Sequence, residues 1–95
     1  MRDGGNLVEV TVMLPPSLVR LFPGSQPRVT LRARTIAEMI DALDARWPGM
    51  RDRLCDSTPR IRRHLNIFIA GGRARLETPL SAGNEVFIMT AVSGG

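Results

Sequence analysis

With 95 residues, 43% of them apolar, the chain makes one domain with a single modest core and is too apolar to be disordered. Its net charge of +4 suits an acidic partner surface or plain solubility, and no apolar run approaches the ~18 residues of a membrane span. A single cysteine excludes an internal disulfide and a thiolate metal cluster, and a single histidine argues against a multi-histidine metal site or a self-contained Ser-His-Asp site.

Residues 1–6 are polar and carry no apolar h-region, so they read as a flexible N-terminus and not as a secretory signal; the expected location is the cytoplasm. From Val8 to Leu14 apolar and polar residues alternate, the period of a strand with one buried face. Val8, Val10, Val12 and Leu14 point inward in this reading, and Glu9, Thr11 and Met13 outward. Pro15-Pro16 ends the strand because proline cannot donate to a ladder. Residues 15–27 read as a loop in which a short turn packs Leu18 and Phe22. Arg28 to Arg34 alternates again, with Val29, Leu31 and Ala33 on one face, and the two runs predict an antiparallel hairpin.

Thr35-Ile-Ala-Glu38 matches a capping box: the threonine hydroxyl accepts from an orphan N–H while Glu38 reaches back. Ile36, Met39, Ile40, Leu43 and Trp47 then recur as one apolar stripe, the signature of a helix packed on a core, and Pro48-Gly49 terminates it. Residues 50–64 read as charged and irregular, with one further helical turn around Met50 to Leu54. Leu65 to Ala70 is a third strand ended by Gly71-Gly72, Arg73 to Leu76 a short fourth strand, and residues 78–84 a loop. Glu85 to Thr90 is the last strand; if Val86 and Ile88 face the helix, Phe87 and Met89 face outward, as does Phe68 on the third strand. The predicted class is α+β, a mixed four- to five-stranded sheet with one main helix packed across one face.

Few side chains look chemically reactive. Cys55 reads as an ordinary thiol and His64 as a loop or strand-edge residue. Arg60, Arg62 and Arg63 form a solvated cluster or steer an acidic partner. No aromatic residues interleave with them, which argues against nucleic acid. There is no Gly-rich phosphate loop or Walker lysine, so no cofactor is expected on this chain, and no metal. All thirteen basic residues are arginine, so no side chain can accept an isopeptide bond.

The sequence ends in Gly94-Gly95, two residues without side chains that take almost any backbone conformation and suit a narrow channel. Before them stand Pro79-Leu-Ser-Ala-Gly-Asn-Glu-Val86, an apolar strand, and Val92-Ser-Gly-Gly95. This order resembles the ubiquitin-like β-grasp fold of the MoaD/ThiS sulfur-carrier family over nearly the whole chain. Leu65-Asn-Ile-Phe-Ile69, the long loop 48–64 and Ala91-Val92 look most like the CysO-type carriers of thiocarboxylate-dependent cysteine synthesis. In the molybdopterin-synthase subset a Pro-Pro pair commonly precedes the tail, where Thr90-Ala91 stands here; Asn84 replaces the usual Asp.

The resemblance implies a β-grasp domain over residues 7–91 and a flexible tail over 92–95. It implies that a partner enzyme uses ATP to adenylate the Gly95 carboxylate, and that a sulfur donor converts it to a thiocarboxylate. Gly95 then carries the sulfur and Gly94 keeps the tail narrow; the chain is a cosubstrate and not an enzyme. The implied partners are an adenylating, ubiquitin-activating-like enzyme and a sulfur acceptor such as a cysteine-synthase homologue, with a metalloprotease as a further candidate. In this family the first and last strands are neighbours, which groups Met13, Phe87 and Met89 with Phe68 on one apolar docking face beside Val92 and Ser93. Positions matching Met13 and Met89 meet the activating enzyme, and Arg73 holds the third matching position. Three other readings stand beside the carrier: the small subunit of molybdopterin synthase, a ubiquitin-like protein modifier, and a non-catalytic β-grasp interaction module.

Overall fold

Alternation in the first third of the chain builds a hairpin. In the computed structural model, which describes residues 7–90, β1 (Val8–Met13) pairs antiparallel with β2 (Arg28–Ala33), with Val12 opposite Val29 and Met13 opposite Arg28. The inward set is as expected: Val10, Val12, Val29, Leu31 and Ala33 are buried, while Val8, near the strand's start, is half-buried. Leu14 is buried just beyond β1, its N–H donating to the Pro27 carbonyl at 2.8 Å.

Between these strands the expected loop is in part a helix, α1 (Pro16–Leu21). The prolines that stop β1 also start it: Pro15 is the extended N-cap and Pro16 occupies the first turn, where a missing N–H costs no hydrogen bond. Leu18 is buried from this helix, and Phe22 packs against the core from just beyond it.

The helix α2 (Ile36–Arg46) starts as its cap predicts. The Thr35 hydroxyl accepts from the Glu38 N–H at 3.2 Å, and the Glu38 carboxylate accepts from the Arg34 N–H at 3.1 Å. Ile36, Met39, Ile40 and Leu43 are buried, and Trp47, the C-cap, is half-buried against the same core. The predicted extra turn is α3 (Met50–Leu54), entered through Gly49 at φ +100°, a left-handed conformation that a side chain would strain. Asp44 Oδ1 accepts from the Gly49 and Arg51 N–H groups at 3.0 and 2.9 Å; these bonds, the one from Arg51 foremost, hold its carboxyl below the usual carboxylate range.

The third strand is β3 (Leu65–Ile69), followed by β4 (Gly72–Arg73) and β5 (Glu85–Thr90). The turn falls one residue earlier than expected, on Ala70 and Gly71, whose φ values of 51° and 82° match the double positive φ of a two-residue hairpin. The fourth strand is correspondingly shorter and earlier than Arg73 to Leu76. Ala74 still donates to the Ile67 carbonyl, but the Arg75 N–H turns to the Thr78 hydroxyl, and the Leu76 carbonyl accepts from Ala37. These bonds draw the chain off the sheet edge toward α2.

The sheet runs β2-β1-β5-β3-β4; β1 and β5 are parallel and every other pair antiparallel. Its inward side chains and those of α2 and α3 share one core, in which Val86 and Ile67 are fully enclosed.

Candidate functional site

The uncovered side of the sheet carries the candidate site. Because strand side chains alternate, burial of Val12, Ile67, Val86 and Ile88 against the helices sends Met13, Phe68, Phe87 and Met89 to the other face. Strand register then aligns them. Met13 is opposite Phe87, Phe87 opposite Phe68, and Phe68 opposite Arg73. In the antiparallel pairs, Phe87–Phe68 and Phe68–Arg73, side chains so placed lie within contact range, about 4.5–5.5 Å between Cβ atoms. Met89 lies one step along β5 on the same face, opposite Asn66. Phe87 is 38% and Met89 51% exposed, high for large apolar groups, while Met13 and Phe68 are half-buried by their neighbours.

The sheet thus brings five of the sequence-predicted residues together: Met13, Phe68, Phe87, Met89 and Arg73. A sixth was missed. Arg28 is opposite Met13 at the β2 edge, so the apolar row is bracketed by an arginine on each side. The hairpin alternation held the signal: once Val29 points inward, Arg28 points outward.

Val92, Ser93, Gly94 and Gly95 lie outside the described residues. The strand that leads toward them, β5, ends at Thr90, opposite Leu65. One strand therefore carries both Phe87 and Met89 and, directly afterwards, the diglycine sequence.

Other reactive groups lie elsewhere. Cys55 is buried beside α3, and burial pushes its thiol above the ordinary value, against a smaller downward pull from Arg51. His64 is exposed just before β3. Among the described residues no three His, Cys, Asp or Glu side chains gather where they could hold a metal ion, and no helix is long and apolar enough to cross a membrane.

Comparison with known proteins gives these features a context. A family model described as the ThiS family matches residues 16–95. The sulfur carrier protein CysO of Mycobacterium tuberculosis is 33% identical over 94 residues, covering 93% of this chain and all of that one. Among solved structures, a chain of the Amycolatopsis orientalis BexX/CysO complex superimposes with a TM-score of 0.78 at 28% identity, over 90% of this chain and 99% of that one. The small archaeal modifier protein 1 of Methanosarcina acetivorans does so with a TM-score of 0.76 at 25% identity, over 96% and 100%. The shared architecture is the ubiquitin-like β-grasp: a mixed sheet grasping one principal helix.

Proposed function

Because this chain belongs to the ThiS family, we propose that it is a sulfur carrier whose Gly95 carboxylate is activated and thiolated by partner enzymes. A carboxylate is a poor electrophile, since its leaving group would be oxide. Attack of a carboxylate oxygen on the α-phosphorus of ATP expels pyrophosphate and leaves an acyl adenylate. A sulfur nucleophile then adds to that carbonyl carbon and expels AMP, and the product is a thiocarboxylate. Its sulfur is a good nucleophile at neutral pH and remains attached to a folded body that other enzymes can recognise.

The observation that carries this reading is the layout of β5. Its outward residues Phe87 and Met89 meet Met13 and Phe68 in an apolar row, and its C-terminal end leads into Val92-Ser-Gly-Gly95. An enzyme seated on that row is well placed to receive the tail. In this reading Gly95 bears the sulfur, Gly94 keeps the tail narrow, and Val92 and Ser93 line its entry. The chain is a cosubstrate, its ATP is held by the activating partner, and it works in the cytoplasm. The relatives' CysO identity favours a cysteine-synthase homologue as acceptor.

Intact mass spectrometry tests the proposal. The chain is incubated with an adenylating enzyme from its own genome, ATP and a sulfide source. The expected result is a mass gain equal to replacing one oxygen by sulfur, absent from a chain lacking Gly95. Equal gains in both chains would refute it.

A second reading, attachment of Gly95 to lysines of other proteins, draws on the likeness to the small archaeal modifier. Adenylation is common to both. Conjugates of this chain recovered from cell lysate after denaturation would favour the modifier, and their absence alongside a thiocarboxylate would favour the carrier.

A further inference from the structure

One groove on the described surface is unlike the apolar row. It encloses about 750 Å³ at the β3–β4 edge, beneath the segment 59–63, and five arginines line it: Arg60, Arg62, Arg63, Arg73 and Arg75. Glu77 is the one carboxylate in its lining. Arg62 is held in place, its Nε donating to the Asp52 carbonyl at 2.7 Å. Among the described residues ion pairs form at Arg34–Glu38 and Arg51–Asp41, and none forms at Arg60, Arg63, Arg73 or Arg75. Several guanidinium groups sharing one concavity repel each other and raise the local positive potential, an arrangement relieved by an incoming anion.

Two register relationships tie this groove to the proposed carrier site. Leu65 lines the groove and lies opposite Thr90, where β5 hands over to the tail. Arg73 also lines it and lies opposite Phe68 in the apolar row. A protein covering the row and taking up the tail would therefore border the groove as well.

We propose that this arginine groove docks an acidic segment of the enzyme that receives the diglycine tail. The inference rests on the carrier reading for the identity of the partner. Guanidinium groups match carboxylates in paired hydrogen bonds, which gives such a contact direction as well as charge. Single-stranded nucleic acid is the weaker fit, because no aromatic side chain lines the groove to stack a base. Docking at this edge fixes the carrier's orientation and raises the encounter rate with the activating enzyme.

The test uses the full chain and two double variants of equal charge. Arg63→Glu with Arg75→Glu alters the groove; Arg20→Glu with Arg46→Glu alters exposed positions on the helices, away from the groove and the apolar row. All four side chains are exposed, and circular dichroism checks that both variants fold. An oligoglutamate peptide titrated into isotopically labelled protein is expected to shift the amides of residues 60–63 and 73–75. The groove variant is expected to weaken that binding roughly tenfold or more, and the control far less. In the charging reaction the groove variant is expected to lower kcat/KM by a similar factor, leave kcat unchanged and flatten the dependence on salt. Equal losses in both variants would reduce the effect to net charge, and tighter binding of an oligothymidylate than of the peptide would assign a nucleic-acid surface; either overturns the inference. If the wild-type chain gains no sulfur, the carrier reading fails, while the peptide titration still judges the groove on its own.

Discussion

Phe68 and Phe87 lie directly opposite each other across β3 and β5, on the sheet face that carries no helix. Their chain neighbours Ile67 and Ile88 form the next such pair, pointing the other way into the core. Adjacent residues of similar size thus face opposite surroundings. Phe87→Ser is expected to cost up to about 1 kcal/mol, the worth of a cross-strand pair, and to lower kcat/KM for charging roughly tenfold, as loss of an aromatic anchor does. Ile88→Ala is expected to cost about 2–5 kcal/mol in a urea melt. Similar stability losses in the two variants would show that Phe87 is a packing residue.

Thr35 and Glu38 close the first turn of α2 from both sides. Thr35→Ala is expected to lower unfolding free energy by about 1 kcal/mol, the usual worth of an N-cap hydroxyl, and Thr35→Ser to retain most of it. The Glu38 carboxylate accepts from the Arg34 N–H, one residue earlier than a simple capping box requires. Glu38→Gln keeps that acceptor and is expected to be milder than Glu38→Ala. Chemical denaturation of the four variants decides the order.

How much of this was legible in the sequence depended on which physical signal each segment carried. The strands around Val12, Ile67 and Ile88 and the helix through Leu43 were readable because period-two and period-3.6 burial leave their mark residue by residue. The helix at Pro16–Leu21 was hidden because proline signals both a strand's end and a helix's first turn. Arg73 was placed in its strand, but Ala74 to Leu76 were not recognised as leaving it, since hydrogen bonds to Thr78 and Ala37 decide their path. Of the candidate face, Met13, Phe87 and Met89 followed from parity. The pairing of Arg28 with Met13, and the gathering of Arg60, Arg63, Arg73 and Arg75 around one groove, arise from register and loop closure between distant segments.

The turn between β3 and β4 holds a removable strain. Ala70 has φ 51°, which places its Cβ against the following carbonyl at a cost of about 1–2 kcal/mol. Asparagine tolerates this conformation and is favoured with a following glycine in such turns. Ala70→Asn is expected to stabilise the fold by about 1 kcal/mol. Gly71→Ala is expected to destabilise it by a similar amount; a Cβ there meets nothing within 4 Å, so the cost is conformational and not steric crowding. Thermal or urea unfolding reads both, and a destabilised Ala70→Asn chain would contradict the turn assignment.

Cys55 is expected to be slow to react. Burial raises the folded thiol's pKa above its unfolded value, so the folded state keeps its proton to higher pH. The sign follows: this contribution to stability is complete below the unfolded value, about 8.5, and is lost as pH climbs through the folded value. Alkylation by iodoacetamide is expected to be markedly slower in the native chain than in urea, with the gap widest in the range where the unfolded thiol has ionised. Cys55→Ala is expected to gain sulfur at Gly95 as the wild type does. Loss of charging in that folded variant would make Cys55 a participant in sulfur transfer.

The strictest demand of the carrier reading falls on Gly94. Among the described residues the buried core runs from Val10 to Ile88, and a change at position 94 is expected to leave the unfolding midpoint where it is. Valine there adds a branched Cβ and narrows the backbone's conformational choice just before the reacting carboxylate. A displacement of about 1 Å at a reacting centre can cost roughly a hundredfold in rate, and Gly94→Val is expected to lose about that much in charging. Gly94→Ala should fall between valine and wild type. Intact mass, followed over time with the activating enzyme in excess, measures all three. If valine charges as fast as glycine, no narrow passage separates the docking face from the chemistry, and the value of a side-chain-free tail must lie elsewhere.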